Sequence, residues 1–332
     1  MKGVLEPSKE VADRFYLCTT CLNCKATCPA GVMVSEIVEA GRRKLVEAGY
    51  CPEIHKTLIE NLKAAGNPFG ESKEKRTDVF PSSFKPKKGP VETLLFPGCV
   101  SSYQDINIVP GMMKIMDTPG ADYTALGKEE NFCCYIAYLV GTKEFVDVAQ
   151  KNKEAFAKVQ PKQIVTTCAG CYKTFKELYP KYVPLNGVKV LHAIEYIDQL
   201  IESGKVKLKN GAPMKVAYHD PCDLGRHLNI FEPPRNLLKK VPGVTPIEFK
   251  NNRLLAKCCG GGGGLKAFNN ELSGEIAYAR ALEALEVGAD AIVSACPACK
   301  ANLNLAAAKI RKEKNGRLKV MDLTELVAES IG

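Results

Sequence analysis

Fifteen cysteines stand among 332 residues, and all but Cys51 fall into spaced groups. No other feature constrains the fold so tightly, because thiols grouped in this way must converge on something that binds sulfur. Secreted disulfide scaffolds reach comparable density, but they are short and carry export signals. Here the opening residues, MKGVLEPSKEVADRF, contain no signal-peptide core, and no apolar run approaches bilayer length. The expectation is a cytoplasmic chain with no direct membrane insertion, peripheral on a membrane only through a partner subunit. Thiols kept at this density in a reducing compartment bind metal or do redox chemistry. The net charge of +9 suits an anionic substrate or an acidic electron-transfer partner. Nucleic acid is disfavoured, since no DNA- or RNA-binding motif accompanies the charge and the basic residues do not alternate with aromatics.

The chain divides into three parts. Residues 1–65 carry the compact run Cys18-x2-Cys21-x2-Cys24-x3-Cys28-Pro29, followed by a helical pattern over 34–48. Residues 66–90 are rich in Pro, Gly and Lys and read as a linker along the surface. The remainder is two similar halves, 91–204 and 205–332. The first holds Cys99, Cys133-Cys134 and Cys168-x2-Cys171; the second holds Cys222, Cys258-Cys259-Gly260 and Cys296-x2-Cys299. In each half a short apolar strand leads to the lone cysteine (TLLFPGC, KVAYHDPC). A helical stretch precedes the final pair, and another strand runs into that pair with a helix after it. A strand-like run, KVLHAIEYI or KVMDLTELV, closes each copy. Alternating strands and helices predict α/β architecture: a small helical ferredoxin-like domain, then two duplicated domains with parallel sheets, related by a pseudo-twofold.

The first run has the bacterial ferredoxin pattern for a cubane 4Fe–4S cluster. A zinc knuckle is the competing reading, but three such short intervals and the terminal Pro29 favour iron. In two-cluster ferredoxins the fourth cysteine ligates the other cluster, and no second run exists here. Cys18, Cys21 and Cys24 therefore take a fourth ligand from Cys28, from Cys51 or from a partner. In the duplicated halves, Cys296-Pro-Ala-Cys299 alone resembles a thioredoxin active site, and two pairs alone suit a zinc ribbon. Neither explains the adjacent cysteines and the isolated upstream one. Five thiolates per copy suit a multi-iron cluster.

The pattern of a lone cysteine, C-C-G and C-x2-C, twice after a ferredoxin run, resembles the cysteine-rich CCG-domain proteins. YHDPCDLGRH, KCCGGGGGLKA and SACPACKANL are most similar to the catalytic subunits of heterodisulfide reductases, and the resemblance runs from about Cys18 to the end. It implies a noncubane 4Fe–4S cluster on Cys99, Cys133, Cys134, Cys168 and Cys171, and a second on Cys222, Cys258, Cys259, Cys296 and Cys299. It also implies that a coenzyme M–coenzyme B type disulfide is cleaved between them. Two departures stand out: the first of the family's two ferredoxin runs is missing, and Tyr135 follows Cys134 where the family has glycine.

Other residues take roles from this picture. Gly260, Gly261 and Gly262 let backbone N–H groups approach an anionic cluster or a bound sulfur ligand. His219 and Asp220 are positioned to donate a proton to a departing thiolate, or else to serve as hydrogen-bonding groups at a strand end. Lys257, Lys266, Arg226 and His227 are candidates for an anionic group, and Gly260 and Lys266 join His219 and Asp220 as candidate catalytic residues. His55 and His192 read as structural. The function expected is a complex subunit that takes electrons from a ferredoxin-like, flavoprotein or membrane cytochrome b partner and reduces an anionic disulfide. The alternative is a relay subunit of a flavin-linked dehydrogenase or of a membrane quinone or sulfur-metabolism complex.

Overall fold

The computed structural model describes residues 6–209, 211, 213–314 and 316–332. Among these residues, eight short strands form two sheets. The first comprises β1 (Thr93–Phe96), β2 (Tyr123–Ala125), β3 (Gln163–Thr166) and β4 (Lys189–His192), in spatial order β2-β1-β3-β4. The second comprises β5 (Met214–His219), β6 (Val244–Ile247), β7 (Ala291–Ser294) and β8 (Lys319–Asp322), in the same order, β6-β5-β7-β8. Every pairing is parallel. Strands covered on both faces lose the polar–apolar alternation, and TLLF of β1 and AIVS of β7 are buried at every position.

The duplication extends to register and caps. Phe96 pairs with Thr166 and His219 with Ser294, so the two sheets align residue by residue. His192 and Asp322 each close a capping box, with Glu195 and Glu325, at the start of the last helix of their copy. KVLHAIEYI and KVMDLTELV are thus strand only for four residues, after which helices Ala193–Glu202 and Leu323–Ser330 begin. The cap ends each strand earlier than the apolar pattern suggests.

The halves pack about a pseudo-twofold. Helix Ile108–Asp117 of the first packs on Leu323–Ser330 of the second, and reciprocally Ala193–Glu202 packs on Glu232–Lys240. That reciprocity is the mark of an isologous interface. Lys300 pairs with Asp105 across it and with Glu325 of its own half, all three largely buried.

The N-terminal helices are α1 (Lys9–Tyr16), α2 (Asn23–Thr27), α3 (Val34–Glu47) and α4 (Glu53–Ala65). Arg42 of α3 is fully buried at the meeting point of all three parts. Its guanidinium donates to the carbonyls of Phe15 (2.9 Å), Cys18 (2.7 Å), Leu139 (2.9 Å) and Gly263 (2.8 Å). Segment 66–90 does more than run along the surface. It carries the short helical turn Glu74–Thr77, and Arg76 from that turn is buried against Glu130. A linker reading misses this because the partner lies 54 residues away.

Arg42→Met is expected to lower the unfolding free energy by about 3 kcal/mol or more, since four buried carbonyls lose charge-assisted partners. Anaerobic denaturant melts measure this. A loss within about 0.5 kcal/mol would show that the bonds are replaceable.

Candidate metal and redox site

In each sheet the chain leaves the first strand for one neighbour and returns on its other side. A crevice therefore opens beyond the carboxyl ends of the two central strands. Cys99 and Cys168 follow β1 and β3, and Cys222 and Cys296 follow β5 and β7, so four of the grouped cysteines sit at these crevices. Cys168 and Cys296, equivalent residues of the two copies, face one another across the pseudo-twofold. Cys133 adjoins Cys171 in the first set, and the Cys259 and Cys299 sulfurs lie 3.2 Å apart in the second.

Electrostatics shows what such crowding requires. Burial, followed by neighbouring thiols, pushes the Cys99 and Cys134 thiols well up. Cys171 is raised first by Cys133, and Cys299 first by Cys259. Cys259 alone in its set is drawn down, by hydrogen bonds with Cys258 and then Cys299. Buried thiols this close cannot all ionise unless cations balance them, and metal binding supplies that balance by displacing the protons. The donor sets therefore fit multi-iron clusters. Backbone N–H groups already point at sulfur: Gly260 to Cys258 (3.3 Å), Gly261 to Cys259 (3.5 Å) and Thr20 to Cys18 (3.3 Å).

The glycine run also forms a packing seam. Gly260 has φ +79°, and a Cβ there would lie 2.4 Å from the Ser273 carbonyl. At Gly263, φ +63°, it would lie 2.5 Å from the Cys18 carbonyl. The ferredoxin-type loop thus rests directly on the second half. Arg226 donates to the Cys21 carbonyl (2.5 Å), and the His227 ring pairs with that of Thr20 (2.9 Å). Cys21 itself adjoins Cys258. Cys24 is exposed, Cys28 accepts backbone N–H groups of residues 30–32 at the surface, and Cys51 faces the Tyr16 hydroxyl.

One cavity of about 430 Å³ joins the parts. Cys99, Cys133, Cys168 and Cys171 line it from the first half, Cys222 and Cys296 from the second. Thr19, Thr20 and Lys266 also line it, and burial lowers the Lys266 ammonium from its ordinary value. His219 and Asp220 lie outside its lining. Both Asp220 oxygens bind Arg235 (2.7 and 2.9 Å), and one also accepts the Arg253 N–H. Lys257 pairs with Glu283. Arg226 and His227 serve the ferredoxin-type loop, as above, and His55 reaches the Gly264 carbonyl at 3.0 Å.

Tyr135 occupies the cleft. Its hydroxyl donates to Asp223 (2.8 Å) of the second half and accepts from Lys173 (2.8 Å) of the first. With tyrosine in the family's glycine position, the left-handed backbone moves to Cys134 (φ +72°), whereas in the second half Gly260 carries it. The sequence reading missed Arg42, Lys173 and Asp223. Only the position of Asp223 beside Cys222 and of Lys173 two residues beyond Cys171 pointed to the last two.

Comparison with known proteins agrees with this geometry. The family model described as a cysteine-rich domain, CCG, matches residues 93–176 and again 216–304. The chain is 32% identical over 331 residues to one of the subunits of the dihydromethanophenazine:CoB–CoM heterodisulfide reductase from Methanosarcina barkeri, covering 98% of this chain and 80% of that one. It is 30% identical to the "Probable iron-sulfur-binding oxidoreductase FadF" of Bacillus subtilis, spanning 47% of its length. It is 28% identical to one of the subunits of the fumarate reductase (CoM/CoB) from Methanothermobacter marburgensis, spanning 62% of it. Among solved structures, a hypothetical protein from Helicobacter pylori superposes with a TM-score of 0.54 at 12% identity, over 78% of this chain and 53% of that one. That likeness speaks to fold alone. No helix among the described residues is long and apolar enough to cross a membrane.

Because Cys51 faces Tyr16, Cys51→Ala is expected to leave iron content and the paramagnetic spectrum unchanged. Conversion of one cluster to a three-iron form would instead make Cys51 a ligand.

Proposed function

The chain belongs to the cysteine-rich CCG-domain family, which it shares with the heterodisulfide reductase of Methanosarcina barkeri, and from that premise we propose that it is an iron–sulfur redox subunit that reduces a disulfide to two thiols. In this reading Cys18, Cys21 and Cys24 hold a ferredoxin-type cluster with a fourth ligand from Cys28 or a partner. The two sets of five hold noncubane clusters: Cys99, Cys133, Cys134, Cys168 and Cys171 in one, and Cys222, Cys258, Cys259, Cys296 and Cys299 in the other. Bound clusters of this kind supply one-electron steps and sulfur-binding iron, which thiols alone lack. The observation that carries the reading is the single cavity lined by cysteines of both sets.

The chain's own residues do the rest. The Lys266 ammonium, held at the cavity wall, favours a substrate carrying an anionic group. Thr19 and Thr20 line the same cavity from the ferredoxin-type loop. Two electrons and two protons convert one S–S bond into two thiols, so the protein needs an electron donor. Relatives named as subunits of reductases support assembly into a larger complex. In this reading the donor is a ferredoxin-like, flavoprotein or cytochrome b partner.

Tyr135 favours a second reading. A phenol tied to Lys173 and Asp223 fills part of the cleft between the sets, as suits a relay whose chemistry happens elsewhere in a complex.

Anaerobically purified protein is expected to contain about twelve irons, four for each of three clusters, with no zinc. A value near four with zinc making up the remainder overturns the assignment. For the enzyme reading, Lys266→Met should raise KM for an anionic disulfide while leaving a neutral one unaffected. If neither the native protein nor Tyr135→Gly turns over any disulfide, yet both exchange electrons with a flavoprotein, the relay reading holds.

A further inference from the structure

His219 ends β5, and its ring is almost wholly buried. A ring nitrogen of His219 and the sulfurs of Cys259 and Cys299 lie within 4.8 Å of one another. The two nitrogens have different surroundings. Nδ1 faces the Arg280 Nε at 3.3 Å, whereas Nε2 is buried with no partner among the described residues. Arg280 is itself fixed: it stacks 3.5 Å over the Phe249 ring and donates to the Asn251 carbonyl (2.9 Å) and to Glu283 (2.6 Å).

A guanidinium has donors only. Nδ1 must therefore accept, and the imidazole proton sits on Nε2. Direct ligation of iron would need a lone pair at Nε2, which would move the proton to Nδ1 and set two donors against each other. The unpartnered Nε2–H is instead a donor in need of an acceptor, and a buried donor left without one costs about 1–3 kcal/mol.

We propose that His219 Nε2–H donates a hydrogen bond to a sulfur of the iron–sulfur cluster on the second cysteine set, with Arg280 fixing the tautomer. The inference rests on the cluster reading above and deepens it. Hydrogen bonds to cluster sulfurs stabilise the reduced, more negative state and raise the reduction potential. The equivalent position of the first half offers no such donor. The register there places Phe96, paired with Thr166 as His219 is with Ser294, and Phe96 packs edge-on against Phe156 and Phe175. His219 is thus a positioning and tuning residue that acts on one copy of the duplicated site.

The test is a spectroelectrochemical titration of anaerobically purified native protein and His219→Phe, with iron and sulfide assayed on both. The expected result is full iron content and a shift of one non-ferredoxin cluster to more negative potential, partly restored in His219→Gln, whose amide can donate. An unmoved potential with iron retained overturns the proposal and leaves the cluster assignment standing. Native protein without iron on the second set overturns both. Should His219→Phe fail to fold, native protein labelled with 15N-histidine decides by electron–nuclear double resonance. A weakly coupled, solvent-exchangeable proton beside a weakly coupled nitrogen is expected. A strongly coupled nitrogen would make His219 an iron ligand and overturn the donor role.

Discussion

The architecture hangs on the grip of Arg42. One buried guanidinium, with no acidic side chain bonded to it among the described residues, donates to backbone carbonyls of α1, of the loop carrying Cys18, of the first half and of the glycine run in the second. A cation in such a place is stable only when its donors are matched. Its partners are main-chain atoms, so the match fixes the relative positions of three chain segments rather than of side chains. Tyr16 adds a bond to the Val140 carbonyl (2.8 Å), and His55 adds its contact with Gly264. The ferredoxin-type loop is consequently seated against Gly262 and Gly263, and at Gly263 only a residue without a Cβ permits that approach.

Duplication supplies the second constraint. A parallel sheet that reverses direction at its two central strands offers one crevice, and a twofold repeat turns two such crevices toward each other. Cys168 facing Cys296 is the direct result. Two residues then break the equivalence. Phe96 against His219 differs at matched register, and Tyr135 against Gly260 differs just after the adjacent cysteines. In the first half Cys134 carries the left-handed φ and a helix starts at Tyr135 itself. The phenol is thereby aimed across the cleft at Asp223.

Much of this was legible because the signals are local. Cysteine spacing, apolar strands of four residues and the repeat of Cys99 as Cys222 or Cys168 as Cys296 need no knowledge of distant contacts. The long-range couplings carry no such mark. Arg42 meets Gly263 across 221 positions, and Arg76 meets Glu130 across 54, so nothing near either arginine in sequence announces its burial. The strand-closing runs failed for a different reason. AIEYI and LTELV alternate well enough to pass for strand, but the capping boxes at His192 and Asp322 commit them to helix. Arg226 and His227 looked like anion binders because their charge was visible and their partners, two carbonyls of the ferredoxin-type loop, were not.

The N-terminal segment settles how symmetric the pair can be. Cys21 adjoins Cys258, and the Cys258 sulfur lies 3.5 Å from the Thr19 hydroxyl; the loop also takes bonds from Arg226 and His227 of the second half. Among the described residues the first half meets this loop through Arg42, which holds the carbonyls of both Leu139 and Cys18. Under the proposed function, an electron held by the ferredoxin-type ligands is therefore nearer the second set than the first. A shorter path and the buried His219 donor would both favour the second set if the clusters bind as proposed, whereas Phe96 would give the first set no matching donor. Cys296 and Cys168, equivalent cysteines that face each other, would be the ligands at which the two sets come closest. Two copies of one fold are in this way made to differ without any change in their shared ligand pattern.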